Sequence, residues 1–361
     1  MADKPEIRDE AARLLSEFEC HGAVRVETDI LQPADILLDL YGEDIRARAF
    51  TTHDPVMGEA MLRPDFTVPV VQMHMNDGAE PARYTYAGKV FRAQEEIPNR
   101  SPEYWQVGFE LFDGTDTAAA DAEVFSLFHK VLTPIGLKAA TGDLGLLLAA
   151  VKGLKTTDAR KAALLRHIWR PRRFRALLDR FSGRAPMPEG RGALLADGGT
   201  ETDAPLIGLR RQSEIDARIA ALREDAAAAP ISSAEVALLD DLLALRETCV
   251  HVLERLSDFA VDMPAIAPAV DRLEARCEAL SKRGIDPELL DFEGSYGRTT
   301  MEYYDGFVFG FYAESRPDLP PVATGGRYDA LTRVLGRGRS IPAVGGVIRP
   351  ELVLAISEGQ S

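Results

Sequence analysis

One short segment limits what this chain can fold into. From Tyr104 to Phe112 apolar and polar residues alternate, with Trp105, Val107, Phe109 and Leu111 on one side and Gln106, Gly108 and Glu110 on the other. Period-two alternation marks a strand with two unlike faces. Such a strand needs a sheet packed on one face, and on the other it presents Gln106 and Glu110 about 13 Å apart along the backbone. The missing side chain at Gly108 leaves an open slot between these polar tips, of a size for a small zwitterion. A Glu110 carboxylate accepts hydrogen bonds from an ammonium or an imidazole N–H, and the Gln106 amide both donates and accepts. On pattern alone, a strand with a solvated polar face explains the same residues more simply.

The flanking sequence builds a frame around this strand. Ile7, Ala11, Leu14, Leu15 and Phe18 recur at helical spacing between Pro5 and Gly22, and Val124, Leu127, Phe128, Val131, Leu132 and Ile135 do so ahead of Gly136. Ala60 to Asp113 reads as strands and turns. From Gly142 to Gly284 the chain turns rich in Ala, Leu, Arg and Glu, with a capping box at Ser232 and Glu235, and reads as helical. Within it the Gly- and Pro-rich stretch from Arg184 to Thr202 reads as a mobile connecting loop. Strand character returns in MEYYDGFVFGFYA, VATGG and IPAVGGVI, before a short helix over PELVLAI. Residues 1–140 and 286–361 therefore form one α+β core, interrupted by a mainly helical insertion at 141–285. A dinucleotide-binding fold is excluded, because no alternating βαβ pattern with a Gly-rich first turn occurs.

Apolar residues make up 46% and charged residues 27%, the balance of a globular protein rather than a disordered or fibrous one. The net charge of −15 repels polyphosphate, so no nucleic-acid partner is expected. Arg170, Arg172, Arg173 and Arg175 read as a solvated helix face rather than a basic patch. Cys20, Cys249 and Cys277 are odd in number and lack paired spacing, which argues against a disulfide framework or a zinc site and for the reducing cytoplasm. Cys249 and His251 stand two apart on a helix and point in different directions. The start MADKPEIRDE has no signal-peptide pattern, and the longest apolar run, Leu144 to Val151, is too short for a bilayer. The glycines of GGRYD serve a tight turn, with no phosphate assigned. Phe307, Phe309 and Phe311 alternate toward a core. No membrane, metal or cofactor role follows.

Arg63, Asp65 and Thr67 in LRPDFT, Arg92 in VFRAQEE and Arg100 ahead of the alternating strand are weak signals one by one. In order, however, LRPDFT, YAGKVFRAQEE, NRSPEYWQVGFELFDG, EYYDGFVF, TGGRYDALTRVLG and PAVGG resemble the catalytic core of histidyl-tRNA synthetases. The resemblance runs from Gly22 to Asp113 and from Arg298 to Leu354. It implies a class II aminoacyl-tRNA synthetase-like α+β fold, an antiparallel sheet flanked by helices with a helical insertion. It further implies that Asp65, standing where the family has glutamate, and Thr67 contact a histidine ammonium, and that Gln106 and Glu110 read the ammonium and imidazole. Tyr303 and Tyr304 would line the imidazole pocket, Arg92 would meet the carboxylate or an α-phosphate, and Arg100 keeps the place of an anion contact.

The nucleotide side departs from the family pattern. Alignment of PAVGGVIRPELVL puts Leu352 where the motif 3 helix carries its ATP-holding arginine. Arg349 lies three residues earlier, ahead of Pro350, which takes the first helical position. Thr299 stands where the histidine-specific catalytic arginine belongs, with Arg298 one residue off, and in an extended segment that slip turns a side chain to the opposite face. Asp29 replaces the motif 1 proline of the dimer interface. Activation of a carboxylate needs fixed cations around the transferring phosphates, so adenylation is expected to be severely impaired. The chain also stops nine residues after Leu352, where the family continues into an anticodon-binding domain.

A retained histidine pocket without the ATP arginines resembles the regulatory subunits of ATP phosphoribosyltransferase. That resemblance implies a non-catalytic protein that partners a short-form catalytic subunit, with histidine as effector of the first step of histidine biosynthesis. It implies a homodimer within a hetero-oligomer. A divergent histidyl-tRNA synthetase or other histidine-activating ligase is the alternative, and a free-standing histidine or uncharged-tRNA sensor a third reading.

Overall fold

The computed structural model describes residues 4–34, 45, 47–93, 101–196, 207–208, 210–299 and 302–359. Helix α1 (Lys4–Cys20) leads into β1 (Val24–Arg25), β2 (Leu31–Pro33), β3 (Thr51–Asp54) and β4 (Gly58–Leu62). Helix α2 (Thr67–Asp77) precedes the long strands β5 (Ala82–Phe91) and β6 (Glu103–Phe112). Then come α3 (Thr117–Leu132), β7 (Lys138–Asp143) and the helices α4 (Leu144–Gly153), α5 (Asp158–Arg166), α6 (Pro171–Phe181), α7 (Glu189–Ala196), α8 (Gln212–Ala227) and α9 (Ser233–Ala244). Strand β8 (Arg246–Thr248) is followed by α10 (Cys249–Asp262) and α11 (Ala267–Lys282). The remainder comprises β9 (Asp291–Glu293), β10 (Phe307–Tyr312), β11 (Ala323–Arg327), α12 (Asp329–Leu335), β12 (Ala343–Ile348) and α13 (Pro350–Gly359).

Among the described residues, nine strands make one sheet in the order β1-β5-β6-β12-β11-β10-β7-β9-β8, antiparallel except where β1 meets β5 and β7 meets β9. The alternation in β6 takes effect in the expected sense. Val107, Phe109 and Leu111 turn to a core under α1 and α3, where Phe18 meets Phe109 at 5.5 Å and Phe128 at 5.4 Å between ring centroids. Phe307, Phe309 and Phe311 of β10 extend that core around Phe125. The opposite face of β6 is not solvated: Gln106 is 1% exposed and Glu110 0%. A solvated polar face is thereby ruled out for β6.

Gly325 and Gly326 of GGRYD lie within strand β11 and not in a tight turn, because both pair with glycines of β12. Two elements also differ from the sequence reading. Thr67–Asp77 forms a helix where strands and turns were expected, because Val68, Val70, Val71, His74 and Met75 all find buried positions on it. Pro69 is tolerated in its first turn, where a missing N–H costs no intrahelical bond. Glu189–Ala196 forms α7 inside the stretch read as a connecting loop, of which residues 197–202 lie outside the described residues. The capping box at α9 forms as read, with Ser232 Oγ accepting from Glu235 N at 3.2 Å.

The helical segment between β7 and β9 is built onto the sheet and not merely tethered to it. Its strand β8 pairs with β9 at the sheet edge, and α4, α10 and α11 share one apolar core with α1 and α3. Cys249 and Cys277, remote in sequence, contact each other between α10 and α11, and both are free thiols. A buried ionic network reinforces the junction. Arg276 of α11 reaches Asp121 of α3 at 3.1 Å and Asp143 at 2.6 Å, with its guanidinium 4.4 Å from the Phe307 ring centroid. Removing one partner of such a network strands a charge in the interior. Arg276→Ala is expected to cost roughly 3–5 kcal/mol in urea unfolding, whereas Arg283→Ala, at an exposed pair with Glu123, should cost under about 1 kcal/mol. Equal losses for the two would contradict a structural role for the network.

Candidate functional site

Glu110 sits mid-strand on β6, opposite Tyr84 of β5 and Gly345 of β12. Hydroxyl groups hold both of its oxygens. Oε1 accepts from Thr67 Oγ1 at 2.8 Å and from Tyr86 OH at 2.7 Å, and Oε2 accepts from Tyr328 OH at 2.6 Å. Room for the carboxylate depends on Gly345, where a Cβ would fall 1.6 Å from Oε2. The slot expected at Gly108 is filled from within: Tyr86 is its register partner on β5, and a Cβ at Gly108 would lie 2.2 Å from the tyrosine ring. That ring stacks on Phe66 at 4.4 Å.

The other expected pocket residues gather around this carboxylate. Tyr303 OH donates to Asp65 Oδ2 at 3.2 Å, and Val68 N donates to Asp65 Oδ1 at 3.4 Å in the first turn of α2. Tyr303 packs edge-on against Tyr304 at 5.0 Å and Tyr328 at 6.1 Å. Gln106 lies on the same face of β6, and its buried Oε1 has no hydrogen-bond partner. Arg92 borders the group, its Nε donating to Pro64 O at 2.8 Å. Asp65, Thr67, Gln106, Glu110, Tyr303 and Tyr304 thus share one face of the sheet. Arg100 lies outside the described residues. Among the described residues no cluster of three metal-ligating side chains occurs, and no helix is long and apolar enough to cross a membrane.

The electrostatics of the site are those of an acceptor awaiting a donor. Burial pushes the Glu110 carboxyl up to about 7, against the pull of the three hydroxyls, and the like charge of Asp65 adds to the rise. Burial likewise pushes Tyr86, Tyr304 and Tyr328 up, so they remain hydroxyl donors at neutral pH. A carboxylate has about four acceptor sites. Three are used at Glu110, which leaves one, and Gln106 Oε1 on the same strand face is unpartnered as well. An N–H-rich ligand matches both.

Among the described residues, two positions aligned with nucleotide-side arginines hold Leu352 and Thr299. Leu352 packs half-buried against the core, and Arg349 precedes α13, donating to Pro321 O at 2.7 Å. Arg298 turns toward the helical segment, with Nε donating to Ile168 O at 2.8 Å and the guanidinium 4.8 Å from the Phe174 ring centroid. Thr299 is exposed. Two residues of the Glu110 cage escaped the sequence reading, Tyr86 and Tyr328. Each lay inside a recognised motif, YAGKVFRAQEE and TGGRYDAL, but only strand register shows that its hydroxyl reaches Glu110.

With this geometry in view, the likenesses to known proteins can be placed. The family model for histidyl-tRNA synthetase matches residues 2–196 and 211–353. A solved ATP phosphoribosyltransferase regulatory subunit/histidyl-tRNA synthetase from Bacillus halodurans superposes with a TM-score of 0.68 at 22% identity, covering 99% of this chain and 81% of that one. Histidyl-tRNA synthetase from Nostoc sp. PCC 7120 does so with a TM-score of 0.64 at 16% identity, covering 98% and 71%. The fold is that of the class II aminoacyl-tRNA synthetase-like proteins of the histidyl type. The ATP phosphoribosyltransferase regulatory subunit of Brucella ovis is 31% identical over 355 residues, 91% of this chain and 92% of that protein. This chain belongs to the ATP phosphoribosyltransferase regulatory subunit family.

The raised Glu110 group has a thermodynamic signature. Its folded-state value of about 7 exceeds the ordinary 4.5, so between these the folded chain holds a proton that the unfolded chain has released. Its contribution is therefore full below pH 4.5 and is lost as pH rises through 7. Urea unfolding of the wild type relative to Glu110→Gln should show stability falling across that window, by roughly 3 kcal/mol at most. A flat difference would mean that Glu110 titrates normally. Tyr328→Phe should raise the carboxyl further and cost roughly 1.5–3 kcal/mol, the worth of a hydrogen bond to a charged group.

Proposed function

We propose that this chain is a non-catalytic, histidine-binding subunit that assembles with a short-form catalytic subunit of ATP phosphoribosyltransferase and conveys histidine feedback to the first step of histidine biosynthesis. One observation carries the reading. The Glu110–Gln106 face keeps two open acceptors in an aromatic cage, while the positions that would hold ATP carry Leu352 and Thr299 and the neighbouring Arg298 is engaged elsewhere. Such a site can take an ammonium and an imidazole N–H, while Leu352 and Thr299, at two aligned ATP-side arginine positions, supply no cation for adenylation.

Feedback then follows from linkage: histidine favours one arrangement of the complex by the difference in its affinity for the two. The family relationship supports a homodimer within a hetero-oligomer, working in the cytoplasm without nucleic acid. Asp65 and Thr67 would face the ammonium, Tyr303 and Tyr304 the imidazole, and Arg92 the carboxylate.

Calorimetry on the purified chain should show histidine binding that Glu110→Gln weakens at least 100-fold, while the variant still co-purifies with the catalytic subunit and supports its activity. Unchanged affinity would place the effector site elsewhere. Histidine-dependent ATP–pyrophosphate exchange by the wild type would instead establish a histidine-activating ligase. Failure to assemble with, or to stimulate, a short-form catalytic subunit would leave a free-standing sensor.

A further inference from the structure

We propose that a proton and the ligand compete for Glu110, so that occupancy of the pocket falls as pH falls. The inference rests on the proposed function and adds a regulation of that same site. Glu110 is 0% exposed, and among the described residues its hydrogen-bond partners are the neutral hydroxyls of Thr67, Tyr86 and Tyr328. No cation among the described residues pairs with its charge.

The elements packed against the carboxylate agree in this. The approach to α2 brings Thr67 and a second acid, Asp65, itself 2% exposed and held by Val68 N and Tyr303 OH. Strand β5 brings Tyr86, the residue after β11 brings Tyr328, and the segment ahead of β10 brings Tyr304. Gly345 of β12 brings no side chain. Two arginines border the site, and both donate to carbonyls: Arg92 to Pro64 O at 2.8 Å and Arg349 to Pro321 O at 2.7 Å. Asp305, next to Tyr304, is pushed up by burial to about 6, but its oxygens accept from Asp329 N and Ala330 N at the amino end of α12.

An empty pocket of this kind favours the acid, because a proton removes a buried charge that nothing else compensates. A ligand ammonium or N–H favours the ionised form, because it supplies the missing donor. The two states exclude each other at one acceptor. A ligand that meets the acid form therefore displaces the Glu110 proton to the buffer, one for each molecule bound. With the carboxyl of the empty chain held at about 7, linkage makes affinity about tenfold lower at about pH 6 than at about pH 8.

Histidine itself titrates in this range, so the second probe is triazolylalanine, whose ring keeps an N–H and stays neutral throughout. Calorimetry of both ligands on the full-length chain, across that range and in buffers of unlike ionisation heat, reads affinity and proton release together. The analogue should lose about tenfold in affinity toward the lower pH and release a fraction of a proton at neutral pH. Tyr328→Phe takes a donor from Glu110 and none from Asp305, and should move the midpoint to higher pH for both ligands. A merely structural hydroxyl would lower affinity equally at every pH. Analogue affinity that does not change with pH, or a midpoint for histidine unmoved in Tyr328→Phe, would overturn the competition and leave the proposed function standing. No histidine binding at any pH would overturn both.

Discussion

Asp121 is the point on which the rest of the structure turns. Its two oxygens take Arg276 from α11 and Arg327 from β11, and Arg327 reaches on to Asp329 at 3.1 Å while Arg276 reaches Asp143, the N-cap of α4. Every side chain in this set except Asp329 is 4–9% exposed. Charges so far from water are tolerated only when geometry is good and the remaining lone pairs are met. The network therefore fixes β11 against α3 and the helical segment against both. Tyr328 follows Arg327 directly and turns to the other side of the sheet, so the hydroxyl that reaches Glu110 is placed by ion pairs beneath it.

The site above depends on that placement and on two glycines. Gly345 admits the Glu110 carboxylate and Gly108 admits the Tyr86 ring, each by leaving out a Cβ that would overlap its neighbour. The choice of hydroxyls rather than cations as partners has a chemical consequence. A guanidinium would neutralise Glu110 and consume its remaining acceptor capacity. Three neutral donors steady the carboxyl but leave its charge uncompensated, and burial then holds it near the point of protonation. Under the proposed function, a ligand that brings N–H donors would relieve this desolvation, and the affinity of the pocket would come from what the fold withholds from Glu110.

What could be read from the sequence was what is local. The alternation of β6, the apolar stripe of α1 and the capping box of α9 are settled by residues within one turn or a few strand positions, and each forms as read. Helix α2 was not legible, because Thr67, Val68, Val70, Val71 and Pro69 favour strand or turn locally and only burial against the sheet overrides that preference. The Gly108 slot failed for a related reason. A glycine in a strand announces a close approach, but the ring that makes it comes from Tyr86, 22 positions earlier and brought across by register. The Asp65, Thr67 and Tyr303 set was legible only through the resemblance, since no spacing rule links residues 65 and 303.

Under the proposed function, the same distinction explains how a synthetase-like site could persist without activation. On that reading, the acceptors that would recognise an amino acid are buried against the sheet: Glu110 and Gln106 on β6, and Asp65 just ahead of α2. Glu110 cannot be changed without cost, since its removal strands Tyr86, Tyr328 and Thr67 without an acceptor. The positions aligned with the ATP-binding arginines lie on α13 and in the segment around Thr299, where Leu352 simply packs and Thr299 is exposed. Folding places no demand for a cation there. Selection that ceased to require adenylation would therefore erode the nucleotide side first and leave the pocket standing. Under the proposed function that pocket becomes an input. Histidine can bias the assembly only through contacts that differ between its two arrangements.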